Sequence, residues 1–337
     1  MIIIMTREAT QAQIDEVISE VRSAGLKDVR MNGAGKVVVA AIGREIDLDQ
    51  ERVKGIEGVE SIMEIQEPYQ LVSREHRPEG STIKVGKVEI GGKALTIMAG
   101  PCSVESEDQY RRIATEVKAA GAQILRGGSF KWRTSPHAFQ GLGLEGLRIT
   151  KMVKEELGMI SATEVLDPRQ VEAVCQYSDI LQVGTVSMQN YPLLREVGKS
   201  KMPVILKRGK WATYNEYLLA AEYIMAEGNE NIILCERGIR TFVTETRATI
   251  DINAIPYLKE KTHLPIIGDP SHGTGMRHLV PSISRAFIAA GADGLIIETH
   301  YDPEHAKTDA EQTIGTDVFA TLMGEIGKIG EAVGRSL

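Results

Sequence analysis

The stretch IIGDPSHGTG, residues 266–275, decides how the second half of the chain folds. Its apolar start ends abruptly in Asp-Pro-Ser-His and a glycine-rich turn, and a helical pattern follows over about 276–290. Residues 294–298 then give a second apolar run that ends in a carboxylate. Strand, turn, helix and strand in this order predict a β/α unit. His272 and Glu298 therefore fall at the ends of consecutive strands, where ligands of one site would meet.

Length and composition are those of a soluble globular protein with one large and one small domain. The chain has 337 residues, and no apolar run approaches the roughly 20 residues that cross a bilayer. The N-terminal MIIIM is too short for a signal peptide and reads as a strand. Three cysteines without CxxC spacing indicate a reducing compartment, so we expect a cytoplasmic protein. A net charge of −7 disfavours nucleic acid and anionic membranes as partners.

From Leu95 onward, strand-like and helical runs alternate regularly. The predicted helices include 109–120, 144–157, 214–226 and 317–333. Eight such repeats predict a closed α/β fold, a (β/α)8 TIM barrel over residues 95–337. No Gly-x-Gly-x-x-Gly motif follows the first strand, which disfavours a dinucleotide-binding sheet. The predicted strands are 95–99, 123–126, 159–163, 180–183, 203–206, 231–235, 265–268 and 294–297.

Residues 1–66 predict a small ferredoxin-like α+β domain with the order β-α-β-β-α-β. Its predicted strands are 1–5, 29–31, 36–42 and 59–65, its helices are 10–24 and 48–53, and its hairpin turn is 32–35. The domain is poor in reactive side chains, so both regulator binding and a purely structural role stay open. Residues 67–94 predict a connector and a short hairpin that could close the bottom of the barrel.

Chemistry in such barrels occurs where the strands end, and four metal-binding side chains fall there. Cys102 follows the first strand, His272 the seventh and Glu298 the eighth, with Asp309 in the loop beyond. One thiolate, one imidazole and two carboxylates suit a divalent metal ion of the Mn, Fe, Co or Zn class. Cys102 alone is better interpreted as a buried cysteine, and His272 alone as a core histidine with its hydrogen bonds satisfied. Their convergence on one barrel mouth favours the metal.

A second group at the strand ends is cationic. Arginine binds phosphate and carboxylate in a fork, and lysine supplies a point charge. The glycines of the loop 126–135 let a ligand approach the backbone, and its hydroxyls add donors. Each cation alone could be a solvated surface charge, but together with a metal they predict anionic, phosphorylated substrates. The group comprises Arg126, Lys131, Arg133, Lys207 and Arg237.

With these residues the chain resembles 3-deoxy-D-arabino-heptulosonate 7-phosphate (DAHP) synthase of type I, β subtype. The resemblance covers nearly the whole chain, with residues 1–66 similar to the ferredoxin-like regulatory extension of one branch. It implies condensation of phosphoenolpyruvate with erythrose 4-phosphate and release of phosphate, the entry to the shikimate pathway. The motifs that carry it are AGPCSVES (99–106), LRGGSFKWRTSPHAFQGLG (125–143), LKRG (206–209), LCERGIRTF (234–242), DPSHGTG (269–275) and IIETH (296–300).

The resemblance also implies a role for each site residue. The metal would polarise the aldehyde oxygen, and Lys131 would lie between the two substrates and take part in proton transfer. Cys102 and His272 would be catalytic with it. The metal ligands would be Cys102, His272, Glu298 and Asp309. Phosphoenolpyruvate would be bound by Arg126, Lys131, Lys207 and Arg237 with Glu164 nearby, and the aldose phosphate by Arg133, Thr134 and Ser135.

Two positions depart from the family pattern. Trp132 stands where the family usually has proline, and Gly184-Thr185-Val186 stands where it usually has Gly-Ala-Arg, whose arginine binds the enolpyruvate phosphate. One lost charge-assisted contact weakens binding by roughly ten- to a hundredfold. Slow DAHP synthesis is the first interpretation. The alternatives are a related synthase with another donor or acceptor, or a weakened or non-catalytic regulatory paralogue.

The sibling 3-deoxy-D-manno-octulosonate 8-phosphate synthase is one such alternative. Its loop typically reads Lys-Ala-Asn-Arg-Ser, so Arg133-Thr134 argues against it. If residues 1–66 act as in the family branch, an aromatic amino acid such as tyrosine or phenylalanine is the effector. We also expect a homo-oligomer, either a dimer or a tetramer.

Overall fold

A computed structural model describes residues 1–33, 36–43, 48–63, 68–133 and 135–337. The chain divides into two units, Met1–Glu79 and Gly80–Leu337. Within the described ranges, no helix is both long enough and apolar enough to cross a membrane.

The first unit is the predicted ferredoxin-like domain. Its elements are β1 (Ile2–Met5), α1 (Gln11–Ser23), β2 (Lys27–Gly33), β3 (Lys36–Ile42), α2 (Gln50–Lys54) and β4 (Val59–Met63). The pairs β1–β3, β1–β4 and β2–β3 are all antiparallel and give the sheet order β2-β3-β1-β4. Residues 34–35 of the predicted turn and 64–65 of the predicted last strand lie outside the described residues.

The first helix of this unit begins where its cap is. Thr10 accepts a hydrogen bond from the backbone of Gln13, and the Gln13 side chain accepts one from the Thr10 backbone, which is a capping box. Val17 and Val21 of α1 are buried in the same core cluster as Ile3 of β1. The apolar residues of α1 recur at helical spacing, so one face of the helix covers the sheet.

The second unit begins with a hairpin, β5 (Ile83–Val85) and β6 (Val88–Ile90). Its apolar side chains belong to the cluster that fills the barrel, so the hairpin packs against the barrel interior. The hairpin predicted for the connector therefore belongs to the barrel unit.

Eight parallel strands then close into a barrel, because β14 pairs with both β7 and β13. They are β7 (Thr96–Gly100), β8 (Ile124–Arg126), β9 (Ile160–Val165), β10 (Ile180–Val183), β11 (Val204–Lys207), β12 (Ile232–Glu236), β13 (Ile266–Gly268) and β14 (Gly294–His300). A short strand β15 (Ile314–Gly315) pairs with the end of β14. The predicted TIM barrel is confirmed.

The helices of this unit follow the strands. They are α3 (Glu107–Ala119), α4 (Leu144–Leu157), α5 (Val171–Cys175), α6 (Tyr191–Ser200), α7 (Tyr214–Ala226), α8 (Ala254–Lys261), α9 (Pro270–Thr274), α10 (Val280–Ala289) and α11 (Thr316–Ala332).

The motif at residues 266–275 contains a helix where the sequence predicts only a glycine-rich turn. Asp269 caps α9 by accepting a hydrogen bond from the His272 backbone over 2.9 Å, and Pro270 occupies the first turn. A proline at this position needs no N–H partner and already has a helical φ, so the motif forms one helical turn. The helix predicted over 276–290 is split into a 3₁₀ turn, Arg277–Leu279, and α10.

Candidate active site

The position of the site follows from the alternation of side chains along the barrel strands. An apolar layer inside the barrel includes Ile124, Ala162, Ile180, Ile205, Cys235, Ile267 and Ile296. Side chains two residues apart on a strand share a face, so the next inward position lies one layer closer to the strand ends. These next positions hold Arg126, Glu164, Gln182, Lys207, Arg237, Asp269 and Glu298. A polar layer therefore lies on the apolar one, at the end of the barrel where this fold carries its chemistry.

A cavity of about 370 Å³ opens on this polar layer. Seven of the residues predicted to bind substrate line it, and the eighth, Thr134, lies outside the described residues. Trp132 and Val186, which depart from the family pattern, line the same cavity. The seven are Arg126, Lys131, Arg133, Ser135, Glu164, Lys207 and Arg237. A larger cavity of about 630 Å³ adjoins it at Arg247 and Asp309 but is otherwise lined by loop residues.

The predicted metal ligands also come together. The thiol of Cys102 and carboxylate oxygens of Glu298 and Asp309 lie within 4.8 Å of one another. His272 Nε2 lies 3.4 Å from Oε1 of Glu298 and 3.7 Å from Oδ2 of Asp309. Asp309 has a φ of 49°, in the left-handed region that aspartate tolerates better than most residues. Cys102, Glu298 and Asp309 therefore form one cluster, and His272 borders it through the two carboxylates.

The surroundings of these ionisable groups explain why the set fits a cation. Burial, and then the nearby Glu298 carboxylate, raise the pKa of the Cys102 thiol to about 12. Burial opposes ionisation of Glu298 as well, but His272 and Arg126 outweigh it and lower its pKa to about 2. Burial also lowers the pKa of His272, which keeps the imidazole in the neutral form that binds metal. A divalent cation would offset the clustered negative charge and favour the thiolate.

Two neighbours fix the Glu298 carboxylate. Arg126 donates from Nη1 to Oε1 over 2.9 Å and to the carbonyl of Pro101 over 2.8 Å. Gln312 donates from Nε2 to the other oxygen, Oε2, over 2.6 Å. The cationic group and the metal-binding group are therefore one hydrogen-bonded assembly.

Not every charge at the strand ends belongs to the cavity. Arg208 follows Lys207 and therefore faces away from the barrel interior, where it contacts Glu236 over 2.9 Å and Asp251 over 2.8 Å. These buried pairs hold the ends of β11 and β12 together. Lys207 faces inward and contacts Asp269 over 2.5 Å.

Two glycines make room for the site. A Cβ on Gly100 would lie 2.1 Å from the carbonyl oxygen of Arg126, so only glycine lets β7 approach β8 here. A Cβ on Gly184 would lie 1.9 Å from Oε1 of Glu164, which lines the cavity. Larger residues would displace Arg126 and Glu164.

The sequence analysis did not name Gln182, Lys210 and Arg247, which line the cavity. It also did not name Gln312, which donates a hydrogen bond to the predicted metal ligand Glu298. The alternation along β10 could have found Gln182, since Ile180 is inward-facing. Lys210 follows directly on the LKRG motif and could have been noted as a third charge in that stretch. Arg247 and Gln312 lie in long loops and carry no spacing signal.

The fold and site together define a (β/α)8 barrel enzyme with a cation-lined cavity at the carboxyl ends of its strands. More particularly, the chain belongs to the DAHP synthetase I family, whose model matches residues 67–333. The model of the DAHP synthase ferredoxin-like domain matches residues 1–67.

Individual relatives agree with this assignment. The chain is 42% identical over 334 residues to a phospho-2-dehydro-3-deoxyheptonate aldolase from Thermotoga maritima, and the match covers 99% of both chains. A crystal structure of a T. maritima protein with that name, also called DAHP synthase, has a TM-score of 0.80 at 41% identity, covering 99% of this chain and 98% of that one. A 2-dehydro-3-deoxyphosphooctonate aldolase from Koribacter versatilis is 32% identical, with 74% of this chain and 96% of the relative covered.

Proposed function

We propose that this protein condenses phosphoenolpyruvate with erythrose 4-phosphate to give DAHP and inorganic phosphate, the first step of the shikimate pathway. The observation that carries the proposal is the joint placement of metal-type donors and phosphate-type cations around one cavity. Membership of the DAHP synthetase I family supports the same reaction.

Cys102, His272, Glu298 and Asp309 would hold the divalent metal ion. When bound there, the ion supplies Lewis-acid polarisation of the acceptor aldehyde. The Mn, Fe, Co and Zn class suits this mixture of sulfur, nitrogen and oxygen donors.

Arg126, Lys207 and Arg237 would bind the carboxylate and phosphate of phosphoenolpyruvate. All three line the cavity and are buried, so a substrate that contacts them is largely withdrawn from water. Charge-assisted hydrogen bonds are strong in such a place and fix the orientation of the donor. Arg133 and Ser135 lie in the loop after β8 and would receive the acceptor phosphate, as would Thr134.

Lys131 would hold a proton between the two substrates. Its ammonium lies 3.4 Å from the Cys102 carbonyl and 3.9 Å from Oε2 of Glu164. Burial disfavours the ammonium, but the charges of Cys102 and Glu164 outweigh burial and raise the pKa of Lys131. Lys131 is therefore protonated at neutral pH and suited to donate a proton.

The overall bond changes follow from the two substrates. Carbon 3 of the enolpyruvate forms the new bond to the aldehyde carbon, and water adds at carbon 2. The bond between carbon 2 and the oxygen that carries the phosphoryl group then breaks, and phosphate leaves.

A second candidate is the octulosonate synthase reaction, which the match to the K. versatilis relative favours. That relative has no counterpart for a quarter of this chain, whereas the T. maritima relative matches both units. Arg133 in the acceptor loop also favours erythrose 4-phosphate.

Phosphate release from phosphoenolpyruvate separates the candidates. We expect release with erythrose 4-phosphate in the presence of Mn²⁺, and much less with arabinose 5-phosphate. Faster release with arabinose 5-phosphate would establish the second candidate, and no release with either aldose would overturn both.

A further inference from the structure

Lys210 lines the cavity but has no role in the proposed function. It lies three residues after the end of β11, in the loop that leads to α7. Its side chain lines the 370 Å³ cavity and a smaller adjoining cavity of about 140 Å³. Val186 lines the same two cavities and is 61% exposed, with neither charge nor hydrogen-bond donor in its side chain. Lys210 thus provides a cation beside an apolar wall.

Five other cations of the cavity already contact carboxylates. These contacts are Arg126–Glu298 at 2.9 Å, Lys131–Glu164 at 3.9 Å, Arg133–Asp309 at 3.6 Å, Lys207–Asp269 at 2.5 Å and Arg247–Asp309 at 3.5 Å. Among the described residues, no carboxylate oxygen lies within ion-pair distance of Lys210 or Arg237. Arg237 donates instead to the carbonyls of His272 over 3.2 Å and Gly238 over 3.4 Å.

The neighbouring cations also disfavour the charge of Lys210. Burial, followed by the charges of Arg237, Arg247 and Arg240, lowers the pKa of Lys210. Like charges held together in a partly buried site without carboxylate partners are unfavourable unless an anion joins them. Lys210 and Arg237, which line one cavity, therefore suit a multiply charged anion.

We propose that Lys210, together with Arg237, binds the phosphate dianion of the enolpyruvate donor and supplies the charge that Val186 cannot. This inference rests on the proposed function for the identity of the donor. The acceptor phosphate is assigned to the loop after β8, where Arg133 and Ser135 lie, so the donor phosphate is the anion left for the Lys210 side. Lys210 stands outside the cationic group named from the sequence, so the weak donor binding expected from Val186 takes no account of its charge.

The first measurement is equilibrium binding by calorimetry, with phosphoenolpyruvate and inorganic phosphate as separate probes. Lys210→Met keeps most of the side-chain length and removes the charge. We expect it to weaken binding of both probes by about 10- to 100-fold, the value of one charge-assisted contact. Lys210→Arg should retain binding. Lys328→Met, on the exposed face of α11, is the control for a lost positive charge and should bind both probes as the unmodified protein does.

The second measurement is steady-state kinetics. Lys210→Met should raise the KM for phosphoenolpyruvate and leave the KM for erythrose 4-phosphate nearly unchanged. Val186→Arg should restore donor binding in the Lys210→Met background and add little to the unmodified protein. A rise confined to the KM of the acceptor would place Lys210 at the other phosphate and overturn the proposal.

Stability is measured in parallel, because a misfolded variant would also lose binding. Removal of a cation that lies among cations should leave the thermal midpoint unchanged or higher. Equal binding of both probes by Lys210→Met and the unmodified protein would overturn the proposal. If DAHP synthesis is absent but Lys210→Met still loses binding of inorganic phosphate, the proposed function fails and the anion site at Lys210 stands.

Discussion

Gln312 donates a hydrogen bond from Nε2 to Oε2 of Glu298 over 2.6 Å, and the same nitrogen lies 3.4 Å from Oδ2 of Asp309. Its amide oxygen accepts from Arg247. The neutral Gln312 side chain therefore orients two of the four predicted metal ligands, Glu298 and Asp309, and connects them to Arg247. Loss of a partner of this kind commonly lowers metal affinity or activity by about 10- to 100-fold.

We predict that Gln312→Ala raises the dissociation constant for Mn²⁺ by about 10- to 100-fold, because both carboxylates lose an orienting donor. At saturating metal the kcat should recover most of its value, since no ligand has been removed. Gln176→Ala, at an exposed position after α5, is the matched control and should leave metal affinity unchanged. Metal titration of the three proteins decides the matter, and equal affinities would show that Gln312 does not orient the ligands.

The thiol provides the second prediction. Cys102→Ser replaces a soft ligand by a hydroxyl, so bound metal and turnover should both be lost. Cys175→Ser, in the separate helix α5, should retain both. Treatment of the unmodified enzyme with a chelator should abolish activity, and added Mn²⁺ should restore it. Full activity of the chelated enzyme would rule out the metal.

The sequence predicted much of this site because barrel strands place alternate residues on one face. Arg126, Lys207 and Glu298 each stand two residues after an apolar residue of the barrel core. The strand pattern alone therefore predicts that their side chains face the barrel interior and which layer they occupy. The same pattern in β10 points to Gln182, which a search for charged strand ends passed over.

The pairing of charges could not be predicted in this way. Lys207 and Arg208 are neighbours in sequence, but one faces the cavity and contacts Asp269 while the other faces outward and contacts Glu236. The position of Gln312 depends on the path of the loop after β14, which turns through the left-handed conformation of Asp309. Long loops have no periodicity from which such a contact could be read.

The hairpin at the start of the barrel unit gives a prediction about stability. Ile90 is fully buried in the core cluster that contains Ile124 and Ile267. Ile90→Ala should lower the free energy of unfolding of the barrel by about 2–5 kcal/mol, the usual cost of removing a large core side chain. Lys87→Ala, on the exposed turn of the same hairpin, should change it by less than about 0.5 kcal/mol. Denaturant titrations compare the two, and an Ile90→Ala midpoint equal to that of Lys87→Ala would exclude the hairpin from the barrel core.

Lys210 should impose a pH dependence on donor binding. Burial and the neighbouring arginines lower its pKa, so it loses its proton at a lower pH than an ordinary lysine does. Loss of that charge weakens phosphate binding, so the KM for phosphoenolpyruvate should rise as the pH rises through the lowered pKa. Lys210→Arg should remove this rise, because a guanidinium stays charged throughout the alkaline range. Profiles of KM against pH for the two proteins test the prediction, and superimposable profiles would contradict it.

The ferredoxin-like unit carries the last prediction. It has a hydrophobic core of its own, formed by residues such as Ile3, Val17 and Val39. Two relatives named 2-dehydro-3-deoxyphosphooctonate aldolase match 74% and 73% of this chain over 96% and 97% of their own length. We predict that removal of residues 1–66 leaves turnover and its metal requirement in place. We also predict that tyrosine or phenylalanine inhibits the full chain and fails to inhibit the shortened one.

The physical reason is that an effector changes catalysis only through a difference in its affinity for two states of the protein. If the effector binds the small unit, the shortened chain has lost that site and cannot respond. Alanine at matched concentration is the ligand control, and thermal unfolding of the shortened chain checks that the barrel is folded. Equal inhibition of both chains would place the effector in the barrel cavity, where it would compete with substrate. If neither chain is inhibited, the role of the ferredoxin-like unit is structural.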